Sequence, residues 1–188
     1  SGQQEIKKII INYRDTLQFL WDQTVRCANK GLTLNETINV IKLPRQFSEH
    51  YTTQQLYGLV EHHVRQIYTG LFGWFDEDEA NLFPVPLPER SQRLVEGFGG
   101  KARVREIIDA SLTKNDFRWA IELSSWLVRG NLNDLGIADA GELEDRNRLA
   151  SALRGVAYTT SAANIRNWCI TRALELDETL NLSRFRKH

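Results

Sequence analysis

The sequence predicts an all-α protein, and three observations lead to that prediction. Apolar residues recur at spacings of three and four along most of the 188-residue chain, which is the period of an amphipathic helix. Three of the four prolines lie within residues 84–88, so the long periodic stretches are almost free of helix-breaking residues. Typical cap residues flank several of these stretches. We expect a helical bundle whose second half is tetratricopeptide-like.

Composition argues against several classes of partner. The 24 basic and 24 acidic residues cancel and the pI is about 6.9, so no overall field attracts nucleic acid or an anionic membrane surface. No apolar run approaches the roughly 20 residues of a membrane span. The two cysteines, Cys27 and Cys169, fall within predicted helices and are expected to be buried free thiols.

The first predicted helix covers residues 4–29 and shows one long apolar stripe. Gly31 follows it in the position that usually ends a helix. Thr33 and Glu36 then form the spacing of a capping box, which predicts a short helix that ends before Leu43 and Pro44. The stripe of the first helix comprises Ile6, Ile9, Ile10, Tyr13, Leu17, Leu20, Trp21, Val25 and Ala28.

The next predicted helix is capped by Thr52 or Thr53 and has a stripe of Leu56, Val60, Val64, Ile67 and Leu71. The segment after it, residues 72–90, mixes prolines, acids and aromatics without a period. We expect an ordered loop there, because so many aromatic side chains would not stay in water without a structural reason.

The apolar pattern in the second half of the chain predicts paired helices. A short helix surrounds Leu94 and Val95 and ends at the glycines of residues 97–100, and helices are then expected over residues 102–112, 117–128, 139–158 and 162–174. Asn115 or Asp116 would cap the second of these. Some fragments resemble tetratricopeptide helices, but the pairs are about 40 residues apart where that repeat has 34, so a regular repeat array is not expected.

The histidines do not predict a metal site. The chain has four, and it contains no HxxxH, HxH or CxxC spacing. His62 and His63 are adjacent, and adjacent helical residues point about 100 degrees apart, so the two rings cannot easily bind one ion. No nucleophile elbow or phosphate-binding loop is present either.

Helical geometry separates these two histidines. On a wheel that starts at Leu56, His63 joins the apolar stripe, which predicts a core or interface histidine. His62 falls on the opposite face, near Gly58 and Arg65. A histidine can donate a proton near neutral pH and an arginine recognises anions, so this face is either functional or an ordinary solvated surface.

Several long motifs resemble one family in order along nearly the whole chain. They are LWDQTVRCANKGLTLNETINVIKLP, LYGLVEHHVRQIYTGLFGWFD, ANLFPVPLPER, DFRWAIELSSWLV and TTSAANIRNWCITRALEL. Together they are similar to the dimerisation region of metallo-β-lactamase-type alkyl sulfatases. The resemblance implies that residues 1–188 are an alkyl sulfatase dimerisation domain. Residues 1–44 would be linker helices from an absent catalytic domain, residues 45–100 a helix with an aromatic loop, and residues 101–188 the tetratricopeptide-like helices.

The resemblance also implies function. The parent enzyme would hydrolyse alkyl sulfate esters with two zinc ions in an N-terminal metallo-β-lactamase domain, and it would have a C-terminal sterol-carrier-like domain. The present chain would bind no cofactor, would be inactive alone and would form a homodimer. His62 would be catalytic, and Trp74 would bind substrate with Arg65, which the helical wheel had placed on the same face as His62. A periplasmic or secreted compartment is favoured.

The sequence departs from the family pattern at two places. Glu77, Asp78 and Glu79 stand where glycine, asparagine and proline are common, and extra negative charge near a sulfate site would repel the anion. Trp21 stands where a histidine often precedes the DQT triplet. The alternative function is a tetratricopeptide-like interaction module with no connection to sulfate esters.

Overall fold

The computed structural model describes residues 2–130 and 142–180. In these residues the regular structure consists of α-helices and one short 3₁₀ helix, which confirms the all-α prediction. The α-helices are α1 (Gln3–Asn29), α2 (Leu34–Val40), α3 (Arg45–Ser48), α4 (Val60–Phe72), α5 (Leu87–Gly97), α6 (Lys101–Thr113), α7 (Phe117–Arg129), α8 (Leu143–Thr159) and α9 (Ala163–Leu176). The 3₁₀ helix is Glu79–Asn81.

The chain divides into two compact units. The first contains residues 2–84 together with residues 161–163, and the second contains residues 85–130, 142–160 and 164–180. Within the described residues, no helix is both long and apolar enough to cross a membrane.

The core of the first unit forms where α1, α2 and α4 pack against one another. Its fully or nearly buried members include Leu20 and Cys27 of α1 and Val64 and Tyr68 of α4. Thr24 is also buried, and its hydroxyl donates a 2.7 Å hydrogen bond to the carbonyl of Leu20, so the polar group is satisfied inside the helix. Because Val64 and Tyr68 face this core, the packing also determines which face of α4 is turned away from it.

The apolar stripe predicted for α1 is covered only in part. Leu20 is buried and Val25 and Ala28 are partly buried near the C-terminal half of the helix. Five other members of the stripe remain at least 48 % exposed among the described residues: Ile6, Ile10, Tyr13, Leu17 and Trp21. At 1.5 Å per residue, α1 is about 40 Å long. The small core of the first unit cannot cover that length.

Local signals placed several helix ends correctly. The Thr33 side chain accepts a hydrogen bond from the Glu36 amide and the Glu36 carboxylate accepts one from the Thr33 amide, so the capping box is present. Gly31 has φ of +78°, the left-handed conformation expected after a helix. Asp116 caps α7 by accepting a hydrogen bond from the Trp119 amide at 3.4 Å.

The predicted start of α4 is wrong. The helix begins at Val60, not after Thr52 or Thr53. The Thr53 hydroxyl donates to the carbonyl of Phe47 at 2.6 Å and the Thr52 hydroxyl lies 2.8 Å from Nδ1 of His50, so both threonines stabilise the preceding turn. Leu56 therefore lies outside the helix and is exposed.

The second unit consists of packed helix pairs. α7 packs against α5, α6 and α8, and α6 also packs against α8. The observed ranges of α6, α7 and α9 agree with the predicted helices to within two residues, and α8 ends at Thr159 as predicted to within one. The predicted start of α8, at residue 139, lies outside the described residues. This arrangement is compatible with the tetratricopeptide-like expectation.

A buried ion pair connects two helices of the second unit. Asp145 of α8 is fully buried, and its two carboxylate oxygens accept hydrogen bonds from Nε and Nη2 of Arg105 on α6 at 2.7 and 2.8 Å. This hydrogen bonding raises the pKa of the Arg105 guanidinium. The bidentate contact joins α6 to α8 and fixes the register between them.

Candidate functional site

The helix α4 presents His62 on the side opposite its buried face. With Val64 at zero degrees, Tyr68 lies at about 40 degrees and His62 at about 160 degrees. Val64 and Tyr68 are buried, whereas the His62 side chain is 43 % exposed. The outward orientation predicted for His62 is therefore what the packing of α4 produces.

His62 has a charged residue on either side along the exposed part of α4. Its Nε2 lies 4.0 Å from Oε1 of Glu61. Arg65 is exposed one turn further along α4, and residues three apart on a helix lie about 5–6 Å from each other at Cβ. The first two turns of α4 thus bring a titratable imidazole and a guanidinium together on one accessible face.

His63 is not a core residue. The structure places it among the exposed residues, because the apolar face of α4 centres on Val64 and Tyr68, and His63 lies about 100 degrees from Val64. Its ring packs against the backbone of Gly58: a Cβ added to Gly58 would lie 2.5 Å from Nε2 of His63. The core interpretation is wrong, and the interface interpretation stays a prediction. Tyr68, which the predicted stripe omitted, fills the core position, and its spacing of four from Val64 was the available signal.

Trp74 lies at the other end of α4. The helix ends at Phe72 and turns at Gly73, which has φ of +85°. The ten residues from His62 to Phe72 correspond to about 15 Å along the axis. Trp74 is 73 % exposed and contacts Phe75, with ring centroids 5.5 Å apart. The structure therefore groups His62 with Arg65 but does not bring Trp74 next to them.

The segment that follows Trp74 is an ordered loop up to Pro86, and α5 begins at Leu87, within the range 72–90 that was predicted to be loop. Asp76 holds it together: its carboxylate accepts hydrogen bonds from Nδ2 of Asn81 at 2.8 Å and from the Asp78 amide at 3.2 Å. Its carbonyl accepts one from the Leu34 amide at 3.0 Å, which joins the loop to the start of α2. The expectation that the aromatic side chains avoid water does not hold for Trp74 and Phe83, which are 73% and 89% exposed.

The acidic residues of this loop lie near the C-terminal half of α4. Burial raises the pKa of Tyr68, and the carboxylates of Glu77 and Asp76 raise it further, so both acids lie close enough to Tyr68 to act on it. Asp76 and Asp78 are engaged by the hydrogen bonds of the loop. Glu77 has φ of +64°, the conformation that favours the glycine expected there from the resemblance. Of the three extra acids, Glu77 therefore lies near Tyr68 in the C-terminal half of α4.

Trp21 does not belong to this face. It lies on α1, where it lines a shallow surface depression together with Val25, Arg26 and Lys30. No group of three or more His, Cys, Asp and Glu side chains in residues 2–130 and 142–180 is arranged to hold a metal ion. The residues available in this part of the chain do not form a zinc site.

Comparison with known proteins identifies the class. A family model described as alkyl sulfatase dimerisation matches residues 33–179. The linear primary-alkylsulfatase of a Pseudomonas species is 35% identical over 182 residues, and alkyl/aryl-sulfatase BDS1 of Saccharomyces cerevisiae is 30% identical over 176 residues. These matches cover 96% and 94% of this chain but only 33% and 26% of the two relatives.

The fold agrees with a solved structure of the same class. The stereoselective inverting sec-alkylsulfatase Pisa1 from Pseudomonas sp. superposes with a TM-score of 0.85 at 30% identity, over 96% of this chain and 27% of that protein. The helical chain therefore corresponds to one segment of the longer alkylsulfatases. It belongs to the alkyl sulfatase dimerisation family, and it spans about a third or less of the length of these relatives.

Proposed function

We propose that this chain is the non-catalytic dimerisation and site-completing domain of a longer alkyl sulfatase that hydrolyses alkyl sulfate esters. The observation that carries the proposal is the outward imidazole of His62, supported on a helix whose opposite face is buried at Val64 and Tyr68. An accessible histidine held by a rigid helix suits an active site that is completed by another domain.

The proposed role of His62 is that of a general acid. Hydrolysis of an alkyl sulfate produces an alcohol and hydrogen sulfate, and the oxygen of the cleaved ester bond needs a proton as it departs. Histidine supplies such protons efficiently because its pKa lies near neutral pH. Arg65, one turn away, would bind the sulfate oxygens through its planar fork of donors. Trp74 would contribute an apolar contact for the substrate from the far end of α4.

Two zinc ions remain part of the proposal for the parent enzyme only. They would be held in a metallo-β-lactamase domain, and a sterol-carrier-like domain would belong to the same polypeptide. The described residues of this chain contain no suitable group of ligands. We assign to this chain the proton donor and the anion contact.

The decisive experiment measures dodecyl sulfate hydrolysis by the full-length protein. His62→Ala should lower kcat about 10²-fold or more, the usual contribution of a positioned acid. His50→Gln is the matched control, because His50 stacks on Tyr51 in the preceding turn and should leave turnover unchanged. Wild-type turnover in the His62 variant would show that this face is merely solvated.

The anion contact has a separate test in the same protein. Arg65→Gln keeps a hydrogen-bonding side chain but removes the charge, and loss of a charge-assisted bond of about 1.5–3 kcal/mol should raise KM about tenfold or more. An unchanged KM would remove Arg65 from the proposal while leaving His62 in place.

A homodimer is the second part of the proposal. Ile6, Ile10, Tyr13 and Leu17 follow one another at spacings of four, three and four, as in the seam of paired helices, and all four are exposed in the described residues. An exposed apolar helix face of this kind favours pairing with a second copy of the chain, as the family description suggests.

Sedimentation of this chain tests the dimer directly. The wild type should sediment as a dimer at micromolar concentration, and Ile10→Lys with Leu17→Lys should convert it to a monomer. Gln18→Lys places the same charge on a polar, exposed position of α1 and should leave the dimer intact. A strictly monomeric wild type would contradict the dimer, and a dimer that survives both lysines would exclude this face of α1.

A further inference from the structure

The residues before α4 form an irregular segment that is held at defined points. Backbone hydrogen bonds from His62 and His63 to the carbonyl of Leu59, both 3.0 Å, close the first turn of the helix. The position of the His62 ring therefore depends on where residues 55–59 place that turn.

Two contacts from a distant part of the sequence fix this segment. The hydroxyl of Ser161 donates a 2.8 Å hydrogen bond to the carbonyl of Gln55. The amide of Ala163 donates a 2.7 Å hydrogen bond to the carbonyl of Leu56. Residues 161–163 belong to the same compact unit as α4, although more than 100 positions separate them in sequence from Gln55.

The side chain of Gln55 caps the helix. Its Oε1 accepts a 2.8 Å hydrogen bond from the amide of Val60, which is the first residue of α4. The first amides of a helix have no partner within the helix, so an acceptor at this place stabilises the first turn. Gln55 thus connects Ser161 to α4. Its carbonyl accepts the hydrogen bond from Ser161, and its side chain accepts one from the first residue of the helix that contains His62.

A steric contact completes the arrangement. Gly58 approaches the His63 ring so closely that a Cβ on residue 58 would lie 2.5 Å from Nε2 and 2.8 Å from Cε1. The segment before α4 and the first turn of α4 therefore pack directly on each other, and the turn has little freedom to move independently.

We infer that Gln55 and Ser161 are positioning residues for His62. They act through the backbone of the turn and do not touch the substrate themselves. This inference rests on the proposed function of His62. A displacement of about 1 Å at a reacting group can cost about 10²-fold in rate, so loss of either contact should lower kcat of the full-length enzyme about tenfold or more. KM should change by less than about twofold, because Arg65 lies in the next turn of α4, beyond the loosened residues.

Conservative variants distinguish positioning from general stability. Gln55→Leu removes the acceptor for the Val60 amide, whereas Gln55→Glu keeps an acceptor and places a negative charge at a helix N-terminus, where it is favourable. Likewise Ser161→Ala removes the hydroxyl and Ser161→Thr keeps it. We expect kcat to fall in Gln55→Leu and Ser161→Ala and to stay within about twofold of wild type in the two conservative variants.

The test has a readout that does not need activity. Hydrogen exchange of the Val60, His62 and His63 amides in this chain should become faster in Gln55→Leu and return to wild-type protection in Gln55→Glu, while the amide of Val64 stays protected. Unchanged exchange and unchanged kcat in Gln55→Leu would overturn the inference.

The outcome also separates this inference from the proposed function. If His62→Ala lowers turnover and Gln55→Leu does not, His62 is functional but is not positioned by Gln55. If His62→Ala keeps wild-type turnover while Gln55→Leu loses it, the proposed role of His62 fails and so does this inference. If both lower kcat and Gln55→Glu restores it, the positioning role holds.

Discussion

Asp145 and Asp109 make nearly the same contact with an arginine, but one carboxylate is buried and the other is exposed. Asp145 accepts from Nε and Nη2 of Arg105 at 2.7 and 2.8 Å, and Asp109 accepts from Nε and Nη2 of Arg148 at 2.9 and 3.1 Å. The exposed fraction of the side chain is 0% for Asp145 and 54% for Asp109. We predict that Asp145→Ala destabilises the protein far more than Asp109→Ala.

The magnitudes follow from burial. Removing one partner of a buried ion pair costs about 3–5 kcal/mol, because the remaining charge stays desolvated. Glu142 still accepts a hydrogen bond from Arg105 at 2.6 Å, so the loss should lie at the lower end of this range. Removing Asp109 should cost only about 1 kcal/mol, because its own carboxylate is exposed and screened by solvent. The Arg148 side chain is only 16% exposed, but it keeps Glu144 at 2.7 Å and Asp145 at 3.8 Å in that variant, so its charge is not left unpaired.

Urea unfolding followed by circular dichroism measures both free energies, and calorimetry gives the shift in Tm. For a chain of this size, about 2–4 °C per kcal/mol predicts a decrease of about 6–12 °C for Asp145→Ala, taken at about 3 kcal/mol, and of no more than about 4 °C for Asp109→Ala. The double variant Arg105→Met with Asp145→Leu should recover most of the loss, since no unpaired charge remains buried. Equal losses in the two alanine variants would refute the argument from burial.

Two further predictions concern the second unit. Hydrogen bonds from Thr179, together with Arg154, lower the pKa of Asp177 to about 2, so the stability that this group contributes is present above its unfolded pKa of about 3.9 and is lost as the pH falls toward 2. Urea midpoints at pH 5 and pH 2 should therefore differ more in the wild type than in Asp177→Asn, and an identical difference would contradict the assignment. In α8, a Cβ on Gly155 would lie less than 3.0 Å from the Phe117 ring, so Gly155→Ala should destabilise by about 1–3 kcal/mol. In a Phe117→Ala background the same change should instead stabilise by up to about 1 kcal/mol, because alanine is the better helix former, and thermal unfolding that shows the same sign in both backgrounds would rule out the clash.

Helix ends could be predicted where the signal is local. Thr33 and Glu36 are three residues apart, and Gly31 directly follows α1, so each of these ends is determined by neighbouring residues. The start of α4 could not be predicted in this way. Its cap is the Gln55 side chain, five residues before the helix, and the conformation of that segment depends on Ser161.

In the candidate site, too, one feature could be predicted from neighbouring residues and others could not. The outward position of His62 was predictable because it depends only on the helical period and on the apolar residues of α4. The exposure of His63 was not predictable from a wheel that included Leu56, since the helix does not extend that far. The separation of Trp74 from His62 by most of the length of α4 also required the observed helix ends.

By itself, the sequence determined the helical class, most helix ranges of the second unit and the family to which the chain belongs. The class and the helix ranges follow from periodicity and from caps within a few residues, which are encoded locally, whereas the family follows from the resemblance of long motifs. Only the tertiary structure decided which part of the α1 stripe is covered, which residues brace the turn of His62 and how Arg105 meets Asp145 across 40 positions. Those contacts join segments far apart in the chain, and a pattern of neighbouring residues contains no information on which distant surfaces will meet.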